Sequence, residues 1–145
     1  MLLGDDGAGV KLMERVRCEL GAEAAQFVDG GTLSFSLLPY IEATASMLVI
    51  DAANFDGEPG ALALYEGLAM DGFLKSTRRR TVHEVGLIDL MDMARVRDCL
   101  PARRALLCIQ PSRIEWSAAL SDTVSSVLPE AVRQAVALLQ RWHAE

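Results

Sequence analysis

Asp51 closes the segment "MLVID", Asp29 closes "FVD", Asp5 and Asp6 stand just ahead of a helical pattern, and His83 lies in "TVHEVGL". Carboxylates from separate segments together with one imidazole are the donor set of a divalent-metal site. Two anionic oxygens neutralise the ion, the neutral nitrogen adds a borderline ligand, and the remaining positions stay open. Each residue also has a plainer use, since an Asp after a strand caps the next helix or turn and a His at a helix start serves as a polar boundary. Their combination is what points to coordination chemistry. Other chemistries lack their residues: there is no HExxH helix and no GxSxG elbow. In "GDDGAG" two carboxylates occupy the place where a nucleotide phosphate needs amide donors and positive charge. Cys18, Cys99 and Cys108 are odd in number with no CxxC spacing, so they read as core thiols and not as a disulfide framework. His143 reads as a surface residue close to the last residue.

The elements that must position these groups follow from periodicity. "AGVKLMERVRCEL" places Val10, Met13, Val16 and Leu20 at helical spacing from Ala8 onward. "AQFVDGG" reads as a short strand ending in a turn, and "FSLLPYIEAT" as a helix entered at Pro39. "SMLVIDAA" is the clearest buried strand, and "GALALYE", following the loop "DGEPG", is a strand at a sheet edge. The stretch "EGLAMDGFLKSTRRR" reads as a loop. After it "VGLIDLMDMARV" puts Leu87, Leu90, Met91 and Ala94 on one helical face. "RALLCIQP" is a second buried strand stopped by Pro111, and Val124, Val127, Leu128, Val132, Val136 and Leu139 define a long last helix. Strands alternating with helices predict an α/β fold of three layers, a twisted, mostly parallel sheet with helices on both faces. In such sheets ligands bind beyond the C-terminal ends of the strands, which is where Asp29 and Asp51 stand.

Composition bounds the rest. The 145 residues fit one domain spanning 1–145 with one core. A net charge of −6 argues against a nucleic-acid partner, because phosphate binding needs a concentrated basic surface. No apolar run reaches the length of a membrane span and the first residues lack a signal-peptide pattern, so a cytoplasmic protein with no membrane partner is expected. The one basic cluster, Lys75 with Arg78, Arg79 and Arg80, reads as a solvated loop or as a docking patch for an acidic surface.

The blocks "LLGDDGAGV", "VDGGT", "LLPYIEA", "LVIDAA", "GEPGAL", "HEVGLIDL" and "IQPSRIEWSAALSDTVSSVLP" follow one another from Leu2 to Pro129. In that order they resemble the nickel-iron hydrogenase maturation endopeptidases, which remove a C-terminal extension from the hydrogenase large-subunit precursor. The resemblance implies an endopeptidase whose metal-recognising residues are Asp6, Asp51 and His83. It also implies a cleft lined by Asp29, Gly30, Gly31 and Thr32, with nickel carried by the substrate precursor as the ion recognised. Precursor specificity is expected in the loop holding Met70, Phe73 and Arg78, Arg79 and Arg80. Family members carry a first strand and a Gly-x-Gly-Asn turn ahead of "LL-x-D-D/E-G", whereas this chain starts inside that pattern at Met1. The expectation is therefore a sheet without its first strand, and the rival function is a non-catalytic nickel- or precursor-binding module.

Overall fold

The computed structural model describes residues 7–28, 35–52, 54–77, 86–111 and 122–145. Helix α1 spans Ala8–Leu20, a 3-10 turn at Phe35–Leu37 leads into α2 at Leu38–Glu42, and strand β1 covers Ser46–Ala52. Strand β2 follows at Leu62–Glu66, then α3 at Leu68–Thr77, α4 at Leu87–Val96, β3 at Arg103–Ile109 and α5 at Asp122–Ala144. Pro39 sits in the first turn of α2, where its missing N–H costs no helical bond. Helix α4 starts with a reciprocal pair: the Gly86 N–H donates to Asp89 Oδ2 at 3.0 Å, and the Asp89 N–H donates to the Gly86 carbonyl at 3.0 Å.

The described sheet has three strands in the order β1-β3-β2. Strands β1 and β3 run parallel, since the Arg103 N–H donates to the Ala45 carbonyl at their starts, while Cys108 feels the charge of Asp51 at their ends. Strand β2 runs the other way, with Gly60 and Ala61 paired to Gln110 and Gly67 paired to Arg104. The sheet is thus mixed, with β2 at the edge as the alternation of "GALALYE" predicts. Only the nine residues from 53 to 61 separate β1 from β2, and a parallel return needs a crossover of about a dozen or more.

The chain divides into two compact units, Met1–Phe27 with Leu48–Leu64 and Leu106–Glu145, and Val28–Met47 with Tyr65–Ala105. The first unit has a core of Ala8, Leu12 and Val16 from α1, Leu107 and Ile109 from β3, and Val124, Leu128, Val132 and Val136 from α5. Leu48 and Ile50 of β1 pack against it. The second unit packs Leu38 and Ile41 of α2 against Leu90 and Ala94 of α4, with Met47 alongside.

Several expectations need correction. Strand β1 has no fully buried residue, whereas five of the seven in β3 are buried, because β3 is the middle strand. The buried stripe of α1 is Ala8, Leu12 and Val16 and not the one through Val10 and Met13. Gln26–Val28 form no strand, although Phe27 still packs on the first core. The supposed loop after Glu66 contains helix α3, where Met70 is fully buried and Phe73 stacks on Tyr65 at 4.3 Å. Met70 therefore offers nothing to a partner. Cys18 is exposed, Cys99 half-buried and only Cys108 a core thiol. No described helix is long and apolar enough to cross a membrane.

Candidate active site

Asp51 is the next-to-last residue of β1 and faces solvent, at the strand end where parallel α/β sheets receive their ligands. Helix α1 is seated directly on that strand end. A Cβ on Gly9 would fall 2.7 Å from the Ile50 carbonyl oxygen and 3.4 Å from Asp51 Cα, so only glycine permits this approach. Asp6 precedes Gly9 by three residues in sequence. We expect Gly9→Ala to destabilise the protein by about 1–2 kcal/mol, because overpacking against fixed backbone outweighs the gain in helix propensity. Gly72→Ala, in α3 with open space around it, is expected to stabilise by about 0.5–1 kcal/mol. Urea unfolding of both variants checks the contrast, and a Gly9→Ala protein as stable as the parent would show that α1 does not sit so close.

Among the other sequence-derived positions, Asp6, Asp29, Gly30, Gly31, Thr32, Arg78, Arg79, Arg80 and His83 lie outside the described residues. Asp51 is thus the one member of the expected Asp/Asp/His set whose place is described. Among the described residues no three His, Cys, Asp or Glu side chains gather as metal ligands.

Cys108 neighbours the same rim from β3, and its thiol is pushed up to about 12 by burial and, secondarily, by the charge of Asp51. A thiol held protonated in this way is no nucleophile at neutral pH. Thiol reagents are expected to modify exposed Cys18 in the folded protein and to reach Cys108 only after unfolding, as peptide mass spectrometry would reveal.

Two polar constellations escaped the sequence reading. In the second unit Arg104 donates from Nε to Asp71 Oδ1 at 2.9 Å and from Nη2 to Asp71 Oδ2 at 2.6 Å, a two-point pair with both side chains largely buried. This arginine holds the Asp71 carboxyl below its ordinary range; burial opposes the shift, and the charges of Arg104, Arg95 and Lys75 assist it. In the first unit Gln110, directly after β3, is buried, and its Oε1 accepts from the Phe55 N–H at 3.0 Å and the Gly57 N–H at 3.1 Å. The only sequence signal for Gln110 is a polar residue closing the apolar run from Ala105 to Ile109.

Comparison with known proteins places the chain in a family and among solved folds. A family model described as hydrogenase maturation protease matches residues 10–138. The hydrogenase expression/formation protein HupD of Rhodobacter capsulatus is 30% identical over 148 residues, covering all of this chain and 70% of that protein. HoxM of Cupriavidus necator is 27% identical over 144 residues, covering 98% of this chain and 71% of its own. Among solved structures, the hydrogenase maturating endopeptidase HybD from Escherichia coli superposes with a TM-score of 0.82 at 23% identity, covering 97% of this chain and 86% of that one. The [NiFe] hydrogenase maturation protease HybD from Thermococcus kodakarensis gives 0.72 at 24% identity, covering 95% and 92%. These structural likenesses establish a shared α/β fold.

Proposed function

This chain belongs to the hydrogenase maturation protease family, and from that premise we propose that it removes the C-terminal extension of the nickel-iron hydrogenase large-subunit precursor after nickel insertion. The family's activity is protease chemistry, so the chain is a peptide-bond hydrolase. The observation that carries the finer reading is the placement of Asp51 at the end of β1, with α1 pressed onto that strand end through Gly9.

In this reading the nickel is part of the substrate. Asp6, Asp51 and His83 approach the ion, supplying two carboxylates and one imidazole. Such a set holds a divalent ion weakly alone, whereas thiolates offered by the precursor complete the shell, so affinity is high only for a loaded precursor. Selectivity for the finished metal centre then arises from shared coordination. Asp29, Gly30, Gly31 and Thr32 border the cleft that takes the tail, and Arg78, Arg79 and Arg80 meet an acidic patch of the precursor. The chain acts as a single cytoplasmic domain.

The test is a processing assay in which the protein is mixed with nickel-loaded or nickel-free precursor and loss of the tail is read by mass spectrometry. Cleavage of the loaded precursor alone, and its loss in folded His83→Ala, is the expected result. Equal cleavage of both precursors would remove nickel recognition from the account. Stable capture of loaded precursor with its tail intact would replace the protease with a binding module.

A further inference from the structure

The turn that leaves β1 just after Asp51 is held from inside by one buried amide. Gln110 is 7% exposed, and each polar atom of its side chain is engaged. Oε1 accepts from Phe55 and Gly57, and Nε2 donates to Asn54 Oδ1 at 3.2 Å. Its backbone adds two bonds, donating to the Ala61 carbonyl at 2.9 Å and accepting from the Gly60 N–H at 2.8 Å. One residue therefore ties down the turn at Asn54, Phe55, Gly57, Gly60 and Ala61.

The turn so held includes two left-handed residues. Asp56 adopts φ 63°, a left-handed conformation that Asp tolerates better than most non-glycine residues, and its N–H donates to Asn54 Oδ1 at 3.0 Å. Gly60, at φ 83°, lies so near α5 that a Cβ would come 2.9 Å from the Thr123 side chain. Burying a primary amide costs free energy unless its bonds are made, and a satisfied buried network fixes one geometry. That rigidity lies at the strand end carrying Asp51, on the segment that continues directly from it.

We propose that Gln110 is a positioning residue: by clamping the Asn54–Gly60 turn it preshapes the surface beside Asp51 against which the precursor tail is laid. This rests on the processing function proposed above. Gln110 itself, being buried, does not touch the substrate. It acts through the turn, so its loss weakens recognition of the precursor more than it slows the chemical step.

Two variants separate the roles. Gln110→Met keeps the length of the side chain and removes its hydrogen bonds; Gln110→Glu retains an acceptor for Phe55 and Gly57. In Gln110→Met, amide exchange at Phe55 and Gly57 is expected to accelerate at least tenfold. The Kd for nickel-loaded precursor is expected to rise about tenfold, with kcat held within about threefold. Gln110→Glu keeps the acceptor but loses the donor to Asn54 Oδ1, so it is expected to recover part of the exchange protection and part of the affinity. Loss of thermal stability in Gln110→Met with precursor Kd unchanged would assign Gln110 to folding alone and overturn the proposal. Unchanged exchange at Phe55 and Gly57 would overturn it equally. Precursor Kd is measured whether or not cleavage follows, so a parent protein that binds without cutting defeats the protease reading and leaves the role of Gln110 to be decided by the same comparison.

Discussion

Asp51→Asn is expected to lower kcat/KM for nickel-loaded precursor by at least about 100-fold while leaving the fold intact. Loss of a residue that merely supports a metal ligand costs about 10–100-fold, and removal of a carboxylate proposed as a ligand itself should cost no less. Asparagine keeps the size of the side chain and one oxygen, and Asp51 stands exposed at a strand end, where such exchanges usually change stability by less than about 0.5 kcal/mol. The missing ingredient is the negative charge. Cys108 supplies an internal control, because that charge contributes to its raised pKa. In Asp51→Asn the thiolate should form at lower pH than in the parent, below about 12. A variant that shows this shift and still processes the loaded precursor at the parent rate would take Asp51 out of the site.

Asp71→Ala is expected to cost about 3–5 kcal/mol of stability, enough to leave little of a typical total of about 5–15. The substitution strands the Arg104 guanidinium, whose side chain is 12% exposed, without the carboxylate that receives two of its N–H groups. Arg95 also loses its contact with Asp71 Oδ2 at 3.4 Å. Replacing both partners, as Asp71→Leu with Arg104→Met, should recover most of the loss, since a well-packed apolar pair substitutes for a buried ion pair at little cost. The pH dependence has a definite sign. The hydrogen bond from Arg104 depresses the folded-state pKa of Asp71, so its contribution is complete above the unfolded value of about 4 and fades as the pH falls below it. Urea titrations at pH 7 and pH 3 should show the gap between parent and Asp71→Ala narrowing in acid. A gap that stays constant would mean that the pair does not carry the stability assigned to it.

How far such groups could be foreseen depended on their spacing in the chain. Helices α4 and α5 were legible because Leu87, Leu90, Met91 and Ala94, and Val124, Leu128, Val132 and Val136, repeat at the helical period and are buried as that period requires. Helix α1 was legible as a helix, yet its buried face passes through Leu12, since spacings of three and four residues compete along the same segment. Helix α3 was hidden because Asp71 and Gly72 are weak helix formers in the middle of a short segment. The partner that explains Asp71 lies thirty-three residues further on, beyond any local pattern. Gln110 was hidden for the same reason, its contacts with Phe55 and Gly57 being equally remote in sequence. Asp51 was legible because an acid closing an apolar strand has a place fixed by the sheet.

The strand order also governs how the chain can assemble as it is made. Strand β1 finds its described neighbour only in β3, with Ala45 and Arg103 joined across fifty-eight positions of sequence, and β2 pairs with β3 as well. Among the described strands, neither earlier one has its ladder until β3 leaves the ribosome, about 3–12 s after β1 at typical rates of synthesis. During those seconds the side of each that β3 will cover is able to pair with other chains. Contacts so distant in sequence fold slowly. Recovery of native protein should therefore depend more on chaperone supply during synthesis than on the stability of the finished fold.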